Sequence, residues 1–186
     1  MLNTYGLRFT NGSSQAVTAA AAASINNLGA FTVVMWVNLT TVAPAAQRNF
    51  FGKSTGNNRV VGFINATTIS VQYGSSVSAP TATAMTTNCP GVAANQPFFV
   101  AFVVDAGVAS PKLFTGSWGI QASEPSAYSA QTTGSTTGHD DSASAWNFAN
   151  GGSVGTTNTI PGNVLSVQVL NRIPRDLAEV REMQYD

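Results

Sequence analysis

The side chains that could carry out acid–base chemistry are few and scattered. Cleavage of a glycosidic bond needs two carboxyl groups about 5–10 Å apart. Glu124 and Asp105 stand alone in the sequence, and the adjacent residues Asp140 and Asp141 would point to opposite faces of a strand. His139 is the only histidine, and no serine-hydrolase motif accompanies it. We therefore expect no enzymatic activity.

The densest polar cluster, His139-Asp140-Asp141, raises the question of a metal site. Calcium takes about 6–8 oxygen ligands. Asp140 and Asp141 would therefore need Asp105 and nearby asparagine or carbonyl oxygens to complete the site. Gly/Ser/Thr-rich stretches lie on both sides of the cluster, and this composition is typical of a solvated loop. The loop is the favoured interpretation, so we expect no metal or other cofactor, with calcium as the alternative.

Aromatic side chains near predicted turns could stack on sugar rings. The candidates are Tyr73, Trp118, Tyr128 and Trp146. The alternative for Trp118 and Trp146 is packing in the core or at the end of a strand. Other aromatic residues lie within long apolar runs and are assigned to the core: Trp36, Phe98, Phe99 and Phe102.

The composition excludes several classes of partner. Of the 186 residues, 44% are hydrophobic and only 9% are charged, and the 8 Lys and Arg balance the 8 Asp and Glu. Without an excess of cations, binding to nucleic acid or to an anionic membrane surface is not expected. Seven of the charged residues lie in the segment 171–186. A nearly uncharged surface favours association between protein molecules.

The sequence shows no export signal. The first five residues lack the basic and apolar regions of a secretory signal, and the alanine-rich stretch 19–23 is too short to cross a bilayer. Cys89 is the only cysteine, so no intrachain disulfide is expected. These features predict a protein made in a host cytoplasm, without membrane insertion.

Apolar runs rich in β-branched and aromatic residues predict strands along most of the chain. The strongest are 31–39, 97–104 and 163–170. By the two-residue period, Phe31, Val33 and Met35 share one face of the first strand. Residues predicted to lie inside on the later strands are Phe102, Val104, Val167 and Val169, and Leu165 is predicted to share a face with Val167 and Val169. Weaker strands are predicted at 5–10, 15–18, 49–53, 59–65, 68–73 and 112–115.

The chain ends in a predicted short helix. Pro174 suits a first turn, and Leu177, Val180 and Gln184 keep helical spacing. The Gly/Ser/Thr-rich segment 129–144 is predicted to form a long surface loop. With no repeat and no linker, we expect one domain, 1–186, folded as an antiparallel sandwich or jelly roll.

Taken in order, these segments resemble the laminin-G-like, concanavalin A-like lectin/glucanase superfamily. Residues 31–37 (FTVVMWV) resemble its F-T-[IV]-x-x-W-[IV] strand. Residues 167–180 (VQVLNRIPRDLAEV) resemble its closing V-x-[IV]-[YF]-N-R-A-L-S-x-x-E-[IV] segment. Further matches are 7–17, 50–54, 98–105 and 112–116. The resemblance implies an all-β, antiparallel jelly-roll β-sandwich (concanavalin A-like) with a short C-terminal helix.

Several positions depart from that family's pattern. The W-H-H motif is replaced by Pro97-Phe98-Phe99, the aspartate of the D-G turn by Thr115, and an acidic pair by Asn163-Val164. The E-x-D-x-x-E strand of the glucanases is absent from the sequence. The resemblance therefore implies neither a metal site nor hydrolysis.

Two classes of function fit the sequence. The first is a non-enzymatic structural assembly protein at a virion surface, such as a phage capsid decoration or fibre-associated module, whose partners are other copies or a larger protein shell. The alternative is a glycan-binding, lectin-like module whose partners are surface glycans.

Overall fold

Thirteen strands and one α-helix form the regular structure of the part of the chain that is described. The structure is a computed structural model and describes residues 7–10, 15–21, 28–55, 58–75, 81–105, 110–132, 144–150 and 158–186. The elements are β1 (Leu7–Phe9), β2 (Val17–Ala19), β3 (Ala30–Leu39), β4 (Arg48–Thr55), β5 (Asn58–Asn65), β6 (Thr68–Ser75), β7 (Thr81–Met85), β8 (Pro97–Asp105), β9 (Lys112–Ser117), β10 (Ile120–Ser123), β11 (Ala130–Thr132), β12 (Trp146–Phe148), β13 (Gly162–Leu170) and α1 (Leu177–Tyr185).

The strands form two antiparallel sheets. One has the order β1-β13-β3-β8-β9-β10, and the other has the order β11-β7-β6-β5-β4-β12-β2. Apolar side chains from the facing sides of the two sheets form one continuous core cluster. The predicted all-β sandwich with a short C-terminal helix is confirmed.

Strand β3 lies in the middle of its sheet, between β13 and β8. Its residues are β-branched or aromatic and apolar on both faces, which suits a strand covered on both sides. Val33 pairs with Phe102 and Met35 with Val100, and these four side chains face the sandwich interior. Trp36 faces the opposite side of the sheet.

The core is built around aromatic rings. Phe102 contacts Phe50 and Phe51 with ring centroids 5.4 and 5.1 Å apart, and Phe51 lies 5.8 Å from Trp146. The predicted interior residues Phe31, Val33, Met35, Phe102 and Val104 are all buried, whereas Val167 and Val169, also predicted inside, are only partly buried. Large offset or tilted rings fill a sandwich interior while keeping favourable edge and face contacts.

A β-bulge changes the predicted face of one residue. The register of β13 against β3 shifts between Val164 and Ser166. Because one extra residue is inserted there, Val164, Val167 and Val169 contact the sandwich core while Leu165 packs on the opposite side of the sheet. The prediction that Leu165 shares a face with Val167 and Val169 was wrong for this reason.

Four short strands were not predicted, because their sequences carry little apolar alternation: Thr81–Met85, Ile120–Ser123, Ala130–Thr132 and Trp146–Phe148. The predicted loop 129–144 begins instead with strand β11. The rest of that loop, residues 133–143, lies outside the described residues. A search of the described ranges finds no helix long and apolar enough to cross a membrane.

Helix α1 covers the outer side of the six-stranded sheet. Val180 is buried there in a second apolar cluster with Val34, Trp36 and Phe99, and Met183 packs against it. The predicted helical spacing of Leu177, Val180 and Gln184 is confirmed, although Leu177 remains partly exposed. Pro174 lies before the helix, which begins after Asp176.

Candidate functional site

Trp118 lies in the turn between β9 and β10 at the edge of the six-stranded sheet. Its side chain is 50% exposed, the highest exposure of any described tryptophan. The indole stacks on Trp36 with ring centroids 4.5 Å apart and an interplanar angle of 21°. One face of Trp118 is therefore covered by Trp36, and the exposed half is held in a fixed orientation.

Trp36 is itself held in place on strand β3. It is only 8% exposed and makes an edge contact with Phe99, with ring centroids 6.0 Å apart. Its indole N–H donates to the backbone carbonyl of Gln184 at 3.0 Å. The Trp36–Trp118 pair, named here the tryptophan platform, therefore depends on the end of α1 for its position.

The side chain of Gln184 joins the helix to the β9–β10 hairpin. Its amide oxygen accepts the N–H of Ala122 at 2.6 Å, and its amide nitrogen donates to the carbonyls of Ser117 at 2.7 Å and Ile120 at 2.9 Å. The Nε of Arg181 donates to the Ala122 carbonyl at 3.2 Å. These bonds satisfy backbone groups between Ser117 and Ser123, where the register of β10 against β9 is interrupted.

A shallow groove runs along α1, from Ala178 in its first turn to Asp186 after its last turn. It has a volume of about 440 Å³ and is lined by Gln121, Ala178, Arg181, Glu182, Tyr185 and Asp186. Tyr185 is 53% exposed. This corner of the molecule thus combines two exposed aromatic residues, Trp118 and Tyr185, with hydrogen-bonding side chains.

The start of α1 is fixed by polar contacts. The carboxylate of Asp176 accepts the N–H of Glu179 at 2.9 Å as the N-cap. Glu179 forms ion pairs with Arg172 and Arg175 and accepts the backbone N–H of Arg175 at 2.6 Å. This backbone hydrogen bond, with the two guanidinium groups, lowers the pKa of Glu179.

Two of the predicted sugar-binding aromatics belong to the core. Trp146 is 1% exposed and lies edge-on to Phe31, with ring centroids 5.7 Å apart. Tyr73 is 4% exposed, and its hydroxyl donates to the Leu28 carbonyl at 3.3 Å. Neither ring presents a face to a ligand, because both side chains belong to the core cluster between the two sheets.

Tyr128 is half-buried, and its hydroxyl is occupied. It accepts the N–H of Leu113 at 2.9 Å and lies 3.3 Å from both the Leu113 carbonyl and a carboxylate oxygen of Glu124. Burial raises the pKa of Tyr128 above its usual range. Its contacts anchor the chain that follows Glu124. Of the four predicted sugar-binding aromatics, Trp118 therefore has the greatest exposed ring surface.

Asp105, a predicted metal ligand, lines a different cavity. This cavity of about 510 Å³ lies between strands β8 and β9 and the segment before α1, with Phe114 and Leu177 among its apolar walls. The other predicted ligands, Asp140 and Asp141, and the neighbouring His139 lie outside the described residues. Within the described ranges, no group of three or more His, Cys, Asp or Glu is placed to hold a metal ion.

Comparison by sequence finds no matching family model and no matching curated protein. Solved structures do match. The sialidase module CBM40 of Ruminococcus gnavus has a TM-score of 0.66 at 16% identity, with 96% of each chain covered. The same module bound to alpha2,3 sialyllactose has a TM-score of 0.65 at 15% identity, covering 96% of this chain and 95% of that one.

A third similar structure is the binding domain of botulinum neurotoxin serotype G. Its TM-score is 0.60 at 10% identity, with 95% of this chain and 41% of that chain covered. These comparisons show that the fold is a β-sandwich similar to that of the sialidase module CBM40.

Sequence reasoning missed Gln184 and Tyr185 as parts of the candidate site. Gln184 was recognised only for its helical spacing. One signal was available in the sequence. The helical period places Gln184 on the buried face of the helix, and a buried amide requires hydrogen-bond partners. Nothing local to the sequence indicated that those partners would be the backbone of β10.

Proposed function

We propose that this protein is a non-enzymatic carbohydrate-binding module that holds a sugar ring against Trp118. The observation that carries the proposal is the half-exposed indole, fixed by its 4.5 Å stack on Trp36. One face of a sugar ring presents mostly C–H groups, which pack on an aromatic face. A ring that is already held in place loses little conformational freedom on binding.

The groove along α1 supplies the polar part of such a site. It lies next to the hairpin turn that carries Trp118, because Gln121 and Tyr185 line it and their chain neighbours Ile120 and Gln184 are hydrogen-bonded to each other. Gln121, Arg181 and Tyr185 carry donors and acceptors that suit sugar hydroxyls. Binding sites for small ligands typically combine an apolar surface with a few placed polar groups. Trp118 provides the apolar surface and the groove along α1 provides the polar groups.

The comparisons support a binding role over a catalytic one. The Ruminococcus gnavus structures are of a module with the same extent as this chain, and one is bound to sialyllactose. At 16% identity, the similarity supports a shared fold only. Our proposal that this chain binds glycans rests on Trp118. The assignment to the laminin-G-like, concanavalin A-like superfamily is likewise part of our proposal.

An assembly protein at a virion surface is the second proposal. Its support is the zero net charge of the chain and the partial exposure of Ile173 and Leu177, each 37% exposed. Assembly would bury an interface of about 1,000 Å² or more. A protein that is monomeric by light scattering and binds a defined sugar would exclude it.

The glycan-binding proposal is tested with a glycan array followed by calorimetry. We expect Trp118→Ala to weaken binding of the best array ligand at least about 30-fold, the loss of about 2 kcal/mol typical of a central aromatic contact. Trp118→Phe should retain part of the affinity because it keeps an aromatic face.

The matched control is Met85→Ala. Met85 is an exposed apolar residue on the other sheet, at 41% exposure. It should leave both binding and the thermal midpoint nearly unchanged. Equal affinity of the wild-type protein and a folded Trp118→Ala variant would contradict the proposal, as would a folded wild-type protein that binds no glycan on the array.

A further inference from the structure

The electrostatic surroundings of the tryptophan platform are negative. The platform lies at the C-terminal end of α1, because Trp36 donates to the carbonyl of Gln184 in the last turn. The C-terminal end of a helix carries about half a negative charge. No basic residue lies in that last turn, and Glu182 and Asp186 line the adjoining groove.

The arginine side chains of the segment 171–186 either lie at the other end of the helix or already make hydrogen bonds. Arg172 and Arg175 pair with Glu179 in the first turn of the helix. Arg181 lines the groove, but its Nε donates to the Ala122 carbonyl, and Glu182 and Asp186 line the same groove. Counting these three side chains, the groove carries a net charge of −1.

A carboxylate on a sugar would therefore meet repulsion at this site. Two like charges repel more strongly at a partly desolvated surface than in bulk water, and the repulsion is weakened by salt. Hydroxyl and acetamido groups, in contrast, can donate to Glu182 and Asp186 without adding charge.

We infer that the tryptophan platform takes neutral sugars, hexoses or N-acetylhexosamines, and disfavours sialic acid. This inference rests on the proposed function and gives its ligand class. It separates this chain from the Ruminococcus gnavus module, whose solved structure holds a sialylated ligand. The shared sandwich fold does not decide the charge of the ligand, because the deciding side chains lie on the helix and the hairpin turn.

The test uses a glycan array in which each sialylated glycan is paired with the same glycan lacking sialic acid. Calorimetry on the best pair then measures the ratio of affinities at low and at high salt. We expect the neutral member to bind at least about threefold more tightly at low ionic strength, with the difference shrinking in high salt as the charges are screened.

The double variant Glu182→Gln, Asp186→Asn removes the two carboxylates from the groove and should reduce the preference for the neutral member. Glu124→Gln is the matched control, since Glu124 follows the far end of β10 and pairs with Lys112 at 3.0 Å. The control should leave the preference unchanged.

Two results would overturn the inference in distinguishable ways. Trp118-dependent binding that is at least tenfold tighter for the sialylated member, and is lost in Arg181→Gln, would refute the neutral ligand class and leave glycan binding intact. An array without any Trp118-dependent binding would refute both the ligand class and the proposed function.

Discussion

The side-chain amide of Gln184 pairs with strand β10 as a residue of a neighbouring parallel strand would. It accepts from the N–H of Ala122 and donates to the carbonyl of Ile120, two residues back along the strand. A residue in a parallel ladder makes this same pair of bonds with its backbone. Gln184 thereby bonds to the backbone groups exposed where the register of β10 against β9 is interrupted, and its own backbone carbonyl accepts the indole N–H of Trp36.

We expect Gln184→Met to destabilise the protein by about 2–4 kcal/mol. Methionine has a similar length but leaves the N–H of Ala122 and the carbonyls of Ile120 and Ser117 without these partners, and an unsatisfied buried group costs about 1–3 kcal/mol. Urea unfolding measures the change. Gln121→Met, at an exposed position of the same strand, is the control. A loss below about 0.5 kcal/mol, the usual range for surface substitutions, would contradict this role.

At the scale of elements, α1 is attached to the sheet at both ends. Its first turn is held by Glu179, Arg172 and Arg175, and the hydroxyl of Thr32 on β3 donates to the Arg172 carbonyl at 2.8 Å. Its last turn is held by Gln184. The helix can therefore fix the tryptophan platform only while both ends remain attached.

The attachment of the first turn should depend on pH. The pKa of Glu179 in the folded protein lies below the value of 4.5 that it has in an unfolded chain. A lowered carboxyl pKa stabilises the fold above the unfolded pKa, and this stabilisation is lost as the pH falls through the folded value. We expect Glu179→Gln to reduce the dependence of the unfolding free energy on pH below about pH 5.

The control for this measurement is Glu182→Gln, at an exposed position on the same helix. Denaturant unfolding between neutral pH and pH 3 compares the two variants with the wild-type protein. If the Glu179→Gln and wild-type curves run parallel over the whole range, Glu179 does not contribute to acid sensitivity.

At the scale of the whole molecule, the two sheets are held together by apolar burial. Phe102 on β8 contacts Phe50 and Phe51 on β4, in the facing sheet. All three side chains have an exposed fraction of 0%. Contacts across the sandwich therefore join strands that are distant in sequence.

We expect Phe102→Ala to cost about 3–5 kcal/mol of unfolding free energy, because a buried ring is lost and a cavity remains between the sheets. Chemical denaturation gives the value, with the exposed residue change Met85→Ala as the control. A cost near 1 kcal/mol would mean that the sheets close around the missing ring.

The sequence by itself predicts the two-sheet sandwich of this protein and most of its longer strands. In the segments 31–39 and 97–104, apolar residues occur on both faces, so local pattern alone predicts strands covered on both sides, whereas 163–170 alternates with polar residues and predicts one covered face. The helix was predictable from its spacing, although its start moved from Pro174 to the residue after Asp176, where a side chain caps the first turn. The bulge near Leu165 was not predictable, because it depends on the register against β3.

The candidate site was decided by tertiary structure. Trp118 and Trp146 both lie near predicted turns, and nothing in their flanking residues separates a surface indole from a core one. Trp146 on β12 faces the core between the two sheets and is buried, whereas Trp118 lies at the turn between β9 and β10, at one end of the other sheet, and is half exposed. Exposure depends on which strands become neighbours, and that is set by contacts between residues far apart in the sequence.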